Sequence, residues 1–298
     1  MSVFFGELAK QLAGRWLSLL ALPGVLFLAA VWIGSRLGQT HAMDLQRLAS
    51  ASTASELAHR SVTVQVLALI GLALASAVVG VVVQALVVPV RALCLGLWPF
   101  GLGGMLTSRR RNRWHELVRQ RTDLERARPV LERSTEEQRR IDRIAGRINA
   151  IAMAEPGRPT WMGDRVHALA EITVNRYGLD LAFGWPRLWL VLDDAVRTEI
   201  SIAQSAFATA MFTATWSVPY LALGVVWWPA AAIGVGIAAA GWARARRGIA
   251  TLTDLTEATL DLYGRTLAVA LGVADESTTG PLTPDEGRTI TDIIRKGR

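Results

Sequence analysis

The chain has 298 residues, 51% of them apolar and 19% charged, with 32 Lys and Arg against 25 Asp and Glu and a formal net charge of +7. The charge is segregated: stretches 16–35, 61–90, 92–108 and 200–243 hold no Asp, Glu, Lys or Arg. An ordinary soluble domain spreads its charge along the chain, so this pattern excludes one and points to a bilayer as part of the solvent.

At the N-terminus Val3, Phe4, Phe5, Leu8 and Leu12 share one helical face, with Glu7, Lys10 and Gln11 elsewhere. This spacing predicts a short amphipathic helix on the membrane surface, with a disordered terminus as the alternative. Residues 16–35 follow as a first span: a helix of this length rises about 30 Å, the thickness of a hydrocarbon core. Trp16 and Trp32 near its ends suit an interfacial belt. A signal peptide would have a shorter apolar core and a small-residue cleavage site, which Arg36-Leu37-Gly38-Gln39-Thr40 lacks. Pro23-Gly24 predicts a kink.

Residues 61–90 are long enough to cross with tilt. After Arg91 the stretch 92–108 is again free of charge, but Gly96, Gly101, Gly103, Gly104 and Trp98-Pro99 make a poor helix interior. It is predicted as a bent continuation or an interfacial segment, with a re-entrant loop as the functional alternative. Residues 1–108 thus form an N-terminal membrane pair.

Residues 109–199 read as a cytoplasmic helical domain. Leu117, Leu124 and Leu131 repeat every seven residues, while Ile141, Ile144, Ile148 and Ile151 alternate by three and four. The pattern predicts a long amphipathic helix or a hairpin broken at Pro129 and Ser134-Thr135-Glu136-Glu137. Packing against the tail helix is expected, with self-association as a coiled coil the alternative. Thr160 or Asp164 is placed to cap a helix that Tyr177-Gly178 ends. Leu181–Leu192 is too short to span and is broken by Pro186. Asp193-Asp194 then opens a helix expected to run unbroken into a third span.

Residues 200–246 are predicted as a membrane hairpin of helices 200–225 and 230–243, turning at Trp227-Trp228-Pro229, the second running on to 246. In the helical tail, 247–298, a separate amphipathic helix carries Leu252, Leu255, Leu262 and Leu267. After a linker over 275–283, Thr283-Pro284-Asp285-Glu286 predicts the start of a terminal helix with Ile290, Ile293 and Ile294.

Basic clusters directly follow apolar blocks: Arg109, Arg110 and Arg111 with Arg113, then Arg244, Arg246 and Arg247. Such positions mark the cytoplasmic side of a span and suit anionic headgroups rather than nucleic acid. The expectation is an all-α polytopic protein with four spans, two plus two, around a cytoplasmic helical domain. It lies in a bacterial cytoplasmic membrane with both termini inside. Trp185, Arg187, Trp189, Trp227 and Trp228 join the expected interfacial residues.

The run Pro159-Thr160-Trp161-Met162-Gly163-Asp164, then Tyr177-Gly178-Leu179-Asp180, then Trp185-Pro186-Arg187-Leu188 resembles a signature in a family of bacterial integral membrane proteins with no assigned activity. Those proteins place such motifs just before a late pair of spans, and tend to carry Asn where Asp164 stands. The resemblance implies topology and no chemistry. The two-plus-two layout is also loosely similar to bestrophin-type channels, without a bestrophin motif. Physically the signature reads as an elbow, either packed under the spans or with Trp185 and Trp189 at headgroup depth. In the latter case Arg187 reaches a phosphate or pairs with Asp180.

Catalytic chemistry is not legible. Asp164, His167 and Glu171 stand at i, i+3 and i+7 and form a weak metal candidate; a solvated helix face is the ordinary reading, so no metal or cofactor is expected. The single cysteine, Cys94, excludes an intramolecular disulfide and a Cys-rich zinc site. Apart from Arg91 the spans hold no ionisable residue, which counts against coupled transport. Small residues four apart, Ala73/Ala77, Ser76/Gly80, Gly234/Ala238 and Gly236/Ala240, suit close helix packing within the chain or between copies. The expected function is a scaffold presenting its cytoplasmic domain to a protein partner or to a second copy. The alternative is an oligomeric channel lined by Gln65, Gln84 and the Thr213 face.

Overall fold

The computed structural model describes residues 22–44, 46, 61–98 and 101–295. The expected surface helix over Val3–Leu12 and the Trp16 end of the first span lie outside the described residues. Among the described residues the regular structure is helical, without strands. In chain order the helices are α1 (Leu22–Leu37), α2 (Val62–Cys94), α3 (Leu102–Ala127), α4 (Thr135–Ile151), α5 (Trp161–Tyr177), α6 (Leu181–Val191), α7 (Asp194–Thr215), α8 (Ser217–Leu223), α9 (Trp228–Ala270) and α10 (Pro284–Arg295). A short 3₁₀ turn, Val130–Glu132, separates α3 from α4. The chain divides into two compact units, 1–90 with 209–243 and 91–208 with 244–298.

Two stretches are long and apolar enough to cross a membrane: α2 and Asp194–Leu223, which comprises α7 and α8. The other two expected spans are not shown among the described residues. The described α1 has 16 residues, about 24 Å of rise, and α9 reaches Arg244 over a similar length.

In the first unit α1 crosses α2 where Gly24 meets fully buried Ser76; a Cβ on Gly24 would collide with the serine hydroxyl and backbone. A core of Ala30, Leu37, Val83, Trp216, Tyr220, Trp227 and Ala230 continues this packing. Gln39 holds the turn after α8: its amide donates to Gly224 O at 3.0 Å and Val225 O at 2.7 Å, and its carbonyl accepts from Trp228 N at 3.2 Å. Pro229 stands in the first turn of α9, where a missing N–H leaves no bond unmade. The small residue needed between α8, α7 and α9 recurs every seven positions rather than every four. A Cβ on Gly234 would lie 2.9 Å from Leu221, and one on Gly241 2.6 Å from Ala214. Gly236, by contrast, has nothing within 4 Å.

α9 is a single 43-residue helix, not the two helices expected on either side of 247. Arg and Ala are strong helix formers and no proline interrupts the join. Gly248, the one weak former there, is a packing site, with a Cβ position 3.2 Å from Phe207 of α7 in the second unit.

In the second unit α3 and α4 form a helical hairpin. Ser134 Oγ accepts from Glu137 N at 3.2 Å and Glu137 Oε2 accepts from Ser134 N at 2.9 Å, a reciprocal cap that starts α4. The apolar stripes meet each other: Leu117, Ile144 and Ile148 are buried together with Trp114, Val118, Leu124 and Ile151 around them. The hairpin also touches α9, where Arg246 donates to Ala150 O at 3.3 Å. Leu131, the third residue of the leucine heptad, is 99% exposed at the hairpin tip. A larger core joins α5, α6, α7, α9 and α10 through Tyr177, Leu179, Leu188, Ile200, Leu260, Leu267 and Ile290.

Candidate functional site

The first run of the signature meets the last turn of α2. Thr160 caps α5 by accepting from Gly163 N at 3.1 Å, and its hydroxyl donates to Cys94 O at 2.7 Å. Gly163 lies against Leu95 O with no room for a Cβ. Pro159 covers Gly96, whose φ of +78° turns the chain out of α2. Pro159-Thr160 and Gly163 thus lock the start of α5 onto the end of α2.

Asp164 is 5% exposed. Its Oδ1 accepts from Gly157 N at 2.9 Å and Arg158 N at 2.6 Å, and its Oδ2 lies 2.6 Å from Arg110 Nη1. Arg110 also donates to Arg158 O and Ile151 O, both at 2.6 Å. Burial pushes the Asp164 carboxyl above the ordinary carboxylate range, against the opposing pull of Arg158, Arg110 and Gly157. The aspartate and arginine together tie α3, the 151–158 turn and α5 into one block.

This use of Asp164 dissolves the metal candidate. His167 Nε2 lies 3.3 Å from Glu171 Oε1, but the aspartate is committed to the Gly157-Arg158 turn. Among the described residues no group of three or more His, Cys, Asp or Glu is placed to hold a metal ion.

The second motif is a helix stop and a docking point. Gly178 ends α5 with φ +65° and donates to Val174 O. Gly178 faces Pro284 O and Gly287 faces Tyr177 O, both without space for a Cβ. Thr291 Oγ1 donates to Gly178 O at 3.1 Å and accepts from Asp180 N at 3.0 Å. Tyr177 donates to Asp261 Oδ1 at 2.5 Å; burial, then the aspartate, push its phenol up to about 12.

The elbow packs inward. Leu188 is fully buried, and Trp185 and Trp189 lie 6.1 Å apart against the second unit's core. Arg187 donates to Phe183 O at 2.8 Å, while Asp180 caps α6 and pairs with Arg295 at 2.8 Å. The expected Arg187–Asp180 pair is therefore not formed, because α10 supplies a nearer cation.

The expected interfacial residues divide. Trp227 is buried, donating to Ala42 O at 3.0 Å, whereas Trp228 is 48% exposed. Trp32 has the Arg36 guanidinium 6.0 Å from its ring centroid. Arg111 pairs with Glu155, and Arg246 stacks 4.3 Å above the Trp161 ring. Arg109, Arg113, Arg244 and Arg247 are exposed. Of the polar candidates, Gln84 is exposed and Gln65 half-buried. Thr213 lines an open cleft of about 300 Å³ with Phe212, Trp216 and Tyr220, and donates its hydroxyl to Thr209 O at 2.9 Å. Gly234 packs closely as its spacing suggested, whereas the packing role of Gly241 and the ion pair of Arg110 are the roles missed. The seven-residue glycine step is visible in the sequence; the partner of Arg110, 54 positions away, has no local signal.

Comparison with protein-family models, curated proteins and solved structures finds no match to the chain.

Proposed function

We propose that this is an integral membrane scaffold: the first unit anchors the chain, and the second is a rigid helical platform for a protein partner or a second copy. The observation that carries the membrane part is α2. Only 17% of its most apolar window is buried within the chain, and Val66, Leu67, Leu69, Ile70, Leu74, Val78, Val81 and Val82 are all exposed. Water tolerates contiguous apolar patches of only a few hundred Å², about the footprint of two or three such side chains. Crossings by the sequence stretches 16–35, 61–90, 200–225 and 230–246 would put 109–199, 247–298 and both termini in the cytoplasm. The arginines at 91, 109–113 and 244–247 favour that orientation at a bacterial cytoplasmic membrane. The resemblance of the signature to bacterial membrane proteins fits the same reading. The scaffold part is supported by how polar groups are used among the described residues: Asp164, Tyr177, Asp180 and Arg110 all bind other parts of this chain.

Membrane topology is tested by single cysteines in a Cys94→Ala background, labelled from either side of sealed vesicles. Labelling at 131 and 276 from the cytoplasmic side only is the expected result. Ion flux in reconstituted vesicles, abolished by Gln84→Leu, would replace the scaffold with the channel.

A further inference from the structure

We infer that the end of α2 and the first turns of α3 form a binding surface for the headgroup of an anionic phospholipid, an inference that rests on the membrane reading above. Leu102, Met105, Arg109 and Arg113 stand at i, i+3, i+7 and i+11 on one stripe of α3. All four are exposed, Leu102 by 59% and Met105 by 52%. The stripe therefore grades from apolar to cationic along the helix. Met105 to Arg109 is about 6 Å of rise, comparable with the headgroup layer on one side of a bilayer.

The stripe is fixed at the end of the apolar α2. Trp98 donates from Nε1 to Leu93 O at 2.8 Å, which holds the indole on the last turn of α2. A Cβ on Gly103 would lie 3.3 Å from Trp98 Cβ, so α3 starts against the base of that side chain. Arg91, the residue that ends the charge-free block, lies on the Phe207 ring at 5.6 Å. Among the described residues Arg91, Arg109 and Arg113 have no carboxylate within ion-pairing distance. The acids close in the fold are held elsewhere: Asp164 by Arg110 and two backbone N–H groups, Glu155 by Arg111, while Glu116 of α3 accepts from the Gln120 amide at 2.9 Å. Uncompensated guanidinium groups bordered by exposed leucine and methionine match a phosphate attached to acyl chains better than an acidic peptide, which gives the apolar half nothing to bind.

The test uses full-length protein purified in neutral detergent, with phosphatidylglycerol or phosphatidylcholine added in mixed micelles and retained lipid counted by native mass spectrometry. Phosphatidylglycerol is retained in preference to phosphatidylcholine, and the preference falls as NaCl is raised. Arg109→Gln with Arg113→Gln weakens phosphatidylglycerol retention about thirtyfold, from roughly a fivefold loss per arginine, while Arg140→Gln with Arg143→Gln on α4 leaves it unchanged. If the first pair does not fold, the salt dependence of the wild-type preference decides alone. Equal retention of the two lipids, wild-type retention in the Arg109/Arg113 variant, or displacement by an equal concentration of inorganic phosphate would each overturn the inference. Alkaline carbonate extraction separates this from the membrane reading: release of the protein from membranes sinks that reading, whereas a membrane-held protein without lipid preference sinks only the headgroup surface.

Discussion

Gly287 of α10 rests directly on the carbonyl oxygen of Tyr177, leaving no volume for even a methyl group between the two backbones. The same close approach lets Thr291, one turn further on, bond both Gly178 O and Asp180 N. A motif of the middle of the chain is thereby completed by its last helix.

Gly287→Ala is expected to separate α10 from this seat. Overpacking against backbone costs about 3 kcal/mol, because a carbonyl cannot rotate away as a side chain can. The variant should melt earlier, and a protease should cut in 275–283 and release α10 at concentrations that leave the wild type whole. Wild-type melting and wild-type cleavage would show that the contact is not closely packed.

Asp164 and Arg110 offer a graded test of the junction. Asp164→Ala removes the acceptor for two N–H groups and leaves Arg110 half-buried without a counter-charge, a change that typically costs about 3–5 kcal/mol. Asp164→Asn keeps an oxygen for Gly157 and Arg158 and loses only the charge. Thermal unfolding in mild detergent should therefore rank wild type above Asn and Asn above Ala. If Ala and Asn unfold together, the backbone bonds contribute nothing beyond the ion pair.

What could be read from the sequence follows from what is local. Thr160, Gly178 and Thr283 act on backbone within a few residues of themselves, so these caps and this stop were legible, while Ser134, read only as a break, also caps α4. The break of 92–108 was legible for the same reason, since Gly96 and Gly101 carry positive φ angles. Long-range choices were not. Asp180 had two arginines to choose between, and Arg295, 115 positions away, makes the pair in place of Arg187. The join at 247 was misread because a change of surroundings along a helix, from apolar to charged, looks in sequence like the end of one helix and the start of another.

The glycines of α9 separate packing inside the chain from packing between chains. Gly241→Val puts its methyl groups where Ala214 already lies, and should lower the melting temperature of the purified protein. Gly236→Val enters open space and should leave monomer stability unchanged. If the Gly236 face is a seam between copies, that variant shifts the oligomer to monomer in sizing experiments; an unchanged elution volume removes the seam.

The start of α10 gives a pH dependence with a definite sign. Glu286 loses some solvation on packing, which raises its pKa, but Thr283 and Arg265 outweigh that and hold the carboxyl below its ordinary range. The unfolded chain therefore binds a proton first as pH falls. Stability from this group is fully present above the unfolded glutamate value, near pH 4.3, and is lost as pH falls through the depressed folded value. Glu286→Gln keeps the cap to Thr283 and removes the charge that Arg265 pairs with. Its melting temperature should lie below the wild type at pH 7, and the two should approach one another as the pH is taken below about 4. A difference that stays constant from pH 7 to pH 3 would mean that the ion pair does not contribute.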